Sequence, residues 1–178
     1  IGQDIFNLAV ALPVMLIALI FARRGSRAGW FVFGGAVFYY LYSYVIYAFG
    51  LHFNRLFLVY CITLGTAFYT FLLTVIELNR QKVEHWFSGN TPVRAVGVFF
   101  LIVATLFYLL WLKDVLPAII ANTVPPTVSD YDLLVNPVHV RDIAIVLPGL
   151  IITAILLMKR HKTGLIMAEI PIPVRSYI

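Results

Sequence analysis

The stretch Leu56-Phe-Leu-Val-Tyr-Cys-Ile-Thr-Leu-Gly-Thr-Ala-Phe-Tyr-Thr-Phe-Leu-Leu-Thr-Val-Ile76 contains no charged residue and no histidine. About 20 apolar residues in a helix cross the ~30 Å hydrocarbon core of a bilayer. The run lacks the strict alternation of a barrel strand, so a membrane helix is the reading it supports. Four further runs of this kind flank it: Ile5–Ala22, Gly29–Phe49, Ala95–Leu112 and Val138–Met158. Ionisable residues stay out of their interiors, with His139, Arg141 and Asp142 placed around the start of the last run. The expected fold is therefore an all-α, polytopic helical membrane bundle with five visible transmembrane helices over residues 1–178.

Composition agrees. The chain has 178 residues, 62% hydrophobic and 12% charged, with a mean hydropathy of +0.95. Soluble domains are about 45–50% apolar and about 25% charged, which excludes a soluble enzyme and a disordered tail. One cysteine, Cys61, forms no internal bridge, which excludes a disulfide scaffold. The formal charge of +5 matters through its distribution. Arg23, Arg24, Arg27, Arg80, Lys82, Arg94, Lys159, Arg160, Lys162 and Arg175 fall on one side of alternating spans, and only Arg55, Lys113 and Arg141 on the other. Positive residues are retained inside, so the amino terminus is expected outside and the carboxyl terminus inside. An external amino terminus beginning at Ile1 leads to the expectation of one further helix or a signal upstream.

Gly50–Arg55 and Gly25–Ala28 read as tight turns that make the first three spans antiparallel neighbours. Residues 77–94 read as a mixed-charge inner segment in which Arg80 and Glu84 pair one helical turn apart and Trp86, beside His85 and Phe87, anchors at the interface. Lys113–Pro137 reads as a long outer loop punctuated by Pro117, Pro125, Pro126 and Pro137. Residues 159–178 read as a cytoplasmic tail with a basic lipid-touching start and an extended Ile170-Pro-Ile-Pro173 segment. No internal repeat is visible in the sequence.

Candidate site residues fall into three groups. Tyr40, Tyr44 and Tyr47 share one face of the second span and offer a stacking, hydrogen-bonding wall for a lipid-like or pigment-like ligand, or an aromatic belt. Thr66 and Thr70, with Thr63 and Thr74, form a stripe on the third span that reads as a packing seam or, alternatively, as the lining of a solute path. His52 and His139, with Asp4 or Asp142, supply imidazole and carboxylate for an outer-face metal or haem site. The competing reading makes Asp4 a helix cap and places Asp142 in a helical first turn. Pro13 and Pro148 are expected to kink the first and last spans or to free a carbonyl, and Gly149 with Thr153 to make a close-approach face. A proton-coupled carrier is disfavoured because no ionisable group lies within the runs. No phosphate-binding loop, nucleophile elbow or metalloprotease motif occurs.

Gly2-Gln3-Asp4 through Ala22-Arg23-Arg24-Gly25-Ser26, Tyr42-Ser43-Tyr44 to Phe49-Gly50, and Phe53-Asn-Arg-Leu-Phe-Leu-Val-Tyr60 resemble a group of uncharacterised bacterial multi-pass membrane proteins. In that group a helix precedes the Gly-Gln-Asp segment. The resemblance spans the chain up to the end of the third run and, loosely, the last one. It implies a bacterial inner-membrane location and carries no activity or site residue. The expected function is that of a non-catalytic membrane protein binding a hydrophobic ligand or packing as an accessory subunit. The expected partners are membrane lipid and partner subunits or further copies of the chain, with no nucleic acid. A membrane redox or metal enzyme and a neutral-solute channel stand as the alternatives, and no cofactor is specified.

Overall fold

The computed structural model describes residues 2–80 and 92–168. Five helices are long and apolar enough to cross a membrane: α1 (Gly2–Arg23), α2 (Arg27–Gly50), α3 (Phe57–Arg80), α4 (Val93–Ala121) and α5 (Pro137–Met158). A short helix, α6 (Lys162–Ala168), follows, and one helical turn, Pro126–Ser129, sits between α4 and α5. Among the described residues there is no strand. The chain is an all-α, multi-pass membrane bundle, as its apolar runs predict. The Arg80–Glu84 pair, Trp86 and the Ile170–Pro173 segment lie outside the described residues.

Local chemistry sets the turns. Gly25 adopts φ +87°, a left-handed conformation natural to glycine, and reverses the chain after α1. Ser26 then caps α2, its Oγ accepting from the Gly29 N–H at 3.1 Å. Gly29 lies against the α1 backbone so closely that a Cβ there would sit 2.6 Å from the Ala22 nitrogen. The reversal and this contact together force α1 and α2 to pack as antiparallel neighbours.

Helix α4 runs two and a half turns past the expected end at Leu112, so the loop begins at Asn122, whose φ of 52° ends the helix. Lys113 and Asp114 suggest a boundary, yet the helix continues through them, and the partly exposed Asp114 accepts a hydrogen bond from the Thr127 hydroxyl. Pro117 is accommodated inside the helix. In the same way α3 continues beyond Ile76 to Arg80. There the Lys162 ammonium donates to the Asn79 carbonyl at 2.7 Å, which satisfies a helix-terminal acceptor. The expected basic lipid anchor is thus partly spent on the protein itself.

The spans form two groups. Helices α1, α2 and α3 pack in sequence, while α4 packs on α5. Ala18, Phe33 and Val37 with Phe71 fill the first group. In the second, Gly97 brings α4 against α5, where a Cβ would meet the Ala154 carbonyl at 3.1 Å. The groups meet at two places. At the basic end, α6 inserts Ile166 beside Phe31 and Leu78, and Leu165 beside Val93 and Leu157. At the opposite end, Pro137 abuts Gly50 and Arg141 reaches Tyr42.

Pro13 and Pro148 sit beside backbone irregularities, and the second leaves the Ile143 carbonyl to the Tyr108 hydroxyl. Each follows a π-helical segment, Asn7–Ala11 before Pro13 and Asp142–Val146 before Pro148. Such bulges recur at functional sites. In each, the N–H of the residue before the proline donates five residues back, Leu12 to Asn7 and Leu147 to Asp142.

This likeness extends along both spans and corrects the expectation of a chain without repeats. Adding 135 to Pro13 gives Pro148, and the same step relates two whole units. Gly25 donates to Ala22 at 2.9 Å as Arg160 does to Leu157 at 2.8 Å, and Ser26 donates to Phe21 at 3.0 Å as His161 does to Leu156 at 2.8 Å. Gly25 and Arg160 share positive φ. Gly164, the counterpart of Gly29, would place a Cβ 2.6 Å from the Leu157 nitrogen, the counterpart of that of Ala22. Span, bulge, proline, reversal and glycine-packed following helix therefore occur twice, in parallel orientation.

Candidate functional site: a buried ion pair beside an apolar cleft

The start of α5 decides the site. Asn136 caps the helix, its Oδ1 accepting from Val138 N at 2.9 Å and His139 N at 3.4 Å, and Pro137 occupies the first turn. Arg141 and Asp142 consequently lie beyond the first turn and are carried into the bundle. His139, Arg141 and Asp142 are 6%, 5% and 3% exposed. The expectation of a bundle interior without ionisable groups is corrected here, as is that of Asp4 as a cap. Asp4 lies within α1 and accepts from the Tyr47 hydroxyl at 3.1 Å.

Arg141 and Asp142 form an ion pair held from both sides. Arg141 Nε donates to Asp142 Oδ1 at 2.9 Å, and Nη2 lies 2.8 Å from the same oxygen. Arg141 Nη1 donates to the Tyr42 carbonyl of α2 at 2.9 Å, and the guanidinium stacks over the Tyr42 ring, 3.2 Å from its centroid. Asp142 Oδ2 accepts from Trp111 Nε1 of α4 at 3.2 Å. Two adjacent residues thus tie α5 to both helix groups. Nη2, although close to the carboxylate, is buried with no aligned hydrogen bond.

A second polar chain runs alongside. His139 packs on Trp111 with ring centroids 4.8 Å apart, its Nδ1 is 3.9 Å from Asp114 Oδ2, and Thr127 Oγ1 donates to that same oxygen at 2.5 Å. The Tyr108 hydroxyl donates to the Ile143 carbonyl at 3.1 Å, which the bulge leaves available.

Two cavities flank α5. One, of about 580 Å³, opens between the helix groups. Val45 and Phe49 of α2 face Val140 and Ile145 of α5 across it, Arg141 belongs to its wall, and His52 and Asp132 stand at its polar end. The other, of about 450 Å³, lies between α4 and α5 and includes His139 and Asn136.

Tyr40, Tyr44 and Tyr47 do share a face. Their ring centroids are 6.0 and 5.2 Å apart in succession, and Tyr60 of α3 joins at 5.3 Å from Tyr47. Two of the three hydroxyls reach α1, Tyr40 donating to the Asn7 carbonyl at 2.9 Å and Tyr47 to Asp4 Oδ1 at 3.1 Å, while neighbouring Tyr39 donates to Asn7 Oδ1 at 2.8 Å. None of the three belongs to either cavity flanking α5, so the wall acts as packing between α1, α2 and α3.

The threonine stripe divides. Thr74 is buried against the bundle, Thr70 is half-buried, and Thr66 is exposed, its hydroxyl donating to Ile62 O at 2.8 Å. The stripe spans a wider arc than the contact face, whose centre is Ala67 and Leu78. Gly65 and Gly149 have open space where a Cβ would stand, so the close approaches fall at Gly29, Gly50, Gly97 and Gly164 instead. His52 is exposed in the turn after α2, whereas His139 is buried behind α5; each belongs to a different cavity. Among the described residues, no three His, Cys, Asp or Glu side chains gather as a metal site.

Comparison of the chain with protein-family models, with curated proteins and with solved structures finds no match. The functional reading accordingly rests on the site.

Proposed function

We propose that this integral membrane protein is non-catalytic and binds a lipid-like amphiphile in the cleft between α2 and α5. The carrying observation is the shape and chemistry of that cleft: about 580 Å³, walled by Val45, Phe49, Val140 and Ile145, with the buried Arg141 in its wall. Ligand sites are largely apolar concavities with a few polar groups that fix orientation. A charge buried within a membrane span is costly to maintain and marks a functional site. The cleft lies at the end of the spans away from Arg23, Arg24, Arg27, Arg80, Lys159 and Arg160. With the basic end inside, the cleft belongs to the outer leaflet of a bacterial inner membrane.

Native mass spectrometry of the protein, extracted gently from its own membrane, tests this. The unaltered protein is expected to carry an amphiphile that a Val140→Trp variant, with the cleft filled, has lost. Bare polypeptide in both samples, or an equal load in both, overturns the proposal. Added polypeptides without lipid replace it with the accessory-subunit reading.

A further inference from the structure

The second cavity, between α4 and α5, carries chemistry of its own. We propose that it binds a lipid alcohol: a hydrocarbon body with an uncharged hydroxyl that donates to His139 and accepts from Asn136.

The cavity, of about 450 Å³, falls in the range of small-molecule sites. Val115 and Ala118 of α4 and Ile143 and Ala144 of α5 give it apolar walls, and its polar side chains are Thr123, Asn136 and His139. Ile119 and Val140 in its lining are exposed, and an apolar ligand enters past them.

His139 is the unusual group. It is 6% exposed, yet neither ring nitrogen makes a hydrogen bond, and Nδ1 stands 3.9 Å from Asp114 Oδ2, beyond bonding distance. A buried imidazole without a partner is unfavourable until one arrives. Both nitrogens keep accessible surface, since among the described residues Arg141 Nη2 is the only sealed side-chain nitrogen or oxygen without a bond. The ring therefore presents a polar edge to the cavity that it lines. Asn136 does likewise. Its Oδ1 is taken by the N–H groups of Val138 and His139, while its Nδ2 donates to no group among the described residues and is open too.

Charge sets the chemistry of the ligand's head. The Asp114 carboxylate, itself bonded by Thr127, draws the imidazole proton to Nδ1 and leaves Nε2 an acceptor. Trp111, its ring centroid 4.8 Å from that of His139, holds the imidazole in place. The site thus offers an acceptor, Nε2, and a donor group, Nδ2, from two residues that are themselves hydrogen-bonded. A hydroxyl satisfies both, because it donates and accepts at once. An ester or ketone only accepts and leaves Nε2 bare. An ammonium only donates and leaves Nδ2 bare. A carboxylate sets negative charge against Nε2 and near Asp114.

The test places isotope-labelled histidine in the full chain, in detergent micelles, and follows the imidazoles by nitrogen NMR. Oleyl alcohol, methyl oleate and oleate, which share one hydrocarbon chain, are titrated in turn. The His139 signals are those missing from His139→Phe, whose ring keeps the contact with Trp111. Oleyl alcohol is expected to move the unprotonated His139 nitrogen in a saturable titration. Methyl oleate and oleate are expected to bind roughly tenfold more weakly or worse by the same signal. Asn136→Asp keeps the capping oxygen, removes the amide donors, and should weaken oleyl alcohol roughly tenfold. Ala118→Phe fills the cavity and should abolish the movement. No saturable movement with oleyl alcohol overturns the proposal. Methyl oleate or oleate binding as tightly as the alcohol, or unchanged affinity in folded Asn136→Asp, overturns the hydroxyl assignment. Movement that persists in folded Ala118→Phe overturns the location. Should that variant not fold, Ala144→Phe fills the cavity from α5, and unchanged binding by it overturns the location equally. Ala118, Asn136, His139 and Ala144 do not line the cleft between α2 and α5, so failure here leaves the cleft reading intact.

Discussion

Removing the charge from Asp142 alone should destabilise the bundle far more than removing both charges. In Asp142→Asn the acceptor geometry for Trp111 survives, but Arg141, 5% exposed and always protonated, loses the carboxylate at 2.8–2.9 Å. Neither partner is open to solvent, so screening offers little relief. Breaking a buried pair by one partner costs about 3–5 kcal/mol. Replacing both members of a buried pair by uncharged groups of suitable shape is close to neutral, because no charge is left unpaired. The double variant Arg141→Phe/Asp142→Asn is therefore expected within about 1 kcal/mol of the unaltered protein. Tyr42 then loses the bond from Nη1 to its carbonyl and the guanidinium over its ring, and the introduced phenyl ring takes the place of the latter contact. Reversible unfolding in mixed micelles, followed by far-ultraviolet circular dichroism, measures all three chains. A double variant as unstable as Asp142→Asn, or an Asp142→Asn as stable as the double variant, refutes the reasoning.

Other outcomes follow from neighbouring contacts. Tyr39→Phe leaves the buried Asn7 amide without its 2.8 Å donor and should cost about 1 kcal/mol in the same unfolding measurement. Gly97→Val drives a side chain into the Ala154 carbonyl and Met158, and should destabilise by about 1–3 kcal/mol. Thr66→Val should change stability by less than about 0.5 kcal/mol, because its hydroxyl bonds only its own helix on an exposed face. The same substitution should leave solute flux in liposomes unaltered, whereas a fall in flux would revive a path along the threonine stripe.

The sequence displays the five spans because each is a long apolar run, and the basic residues at their ends mark a common side. It conceals helix ends where a charge has an internal partner. Lys113 and Asp114 resemble a boundary, but Thr127 and His139 receive Asp114 and α4 continues. The ion pair is hidden for a related reason: Arg141 and Asp142 stand near the end of an apolar run and pass for interfacial residues. The available signal is Asn136-Pro137, a cap and a first-turn proline, which starts the helix early enough to carry both residues past its first turn. The repeat is faint because few side chains match, yet Ala9, Leu12, Pro13 and Ile17 align with Ala144, Leu147, Pro148 and Ile152. What repeats is backbone geometry, set by a proline, a left-handed reversal and one close glycine. The tyrosine cluster is legible as a face, whereas the acceptors of Tyr40 and Tyr47 on α1, distant in sequence, are not.

A density map of the full chain in nanodiscs of its own membrane lipids examines the central claim most directly. The account predicts acyl density between Val45 and Ile145, in the cleft whose wall includes Arg141. A cleft closed by side chains, or lipid density distributed evenly around the bundle with none at Arg141, would contradict it.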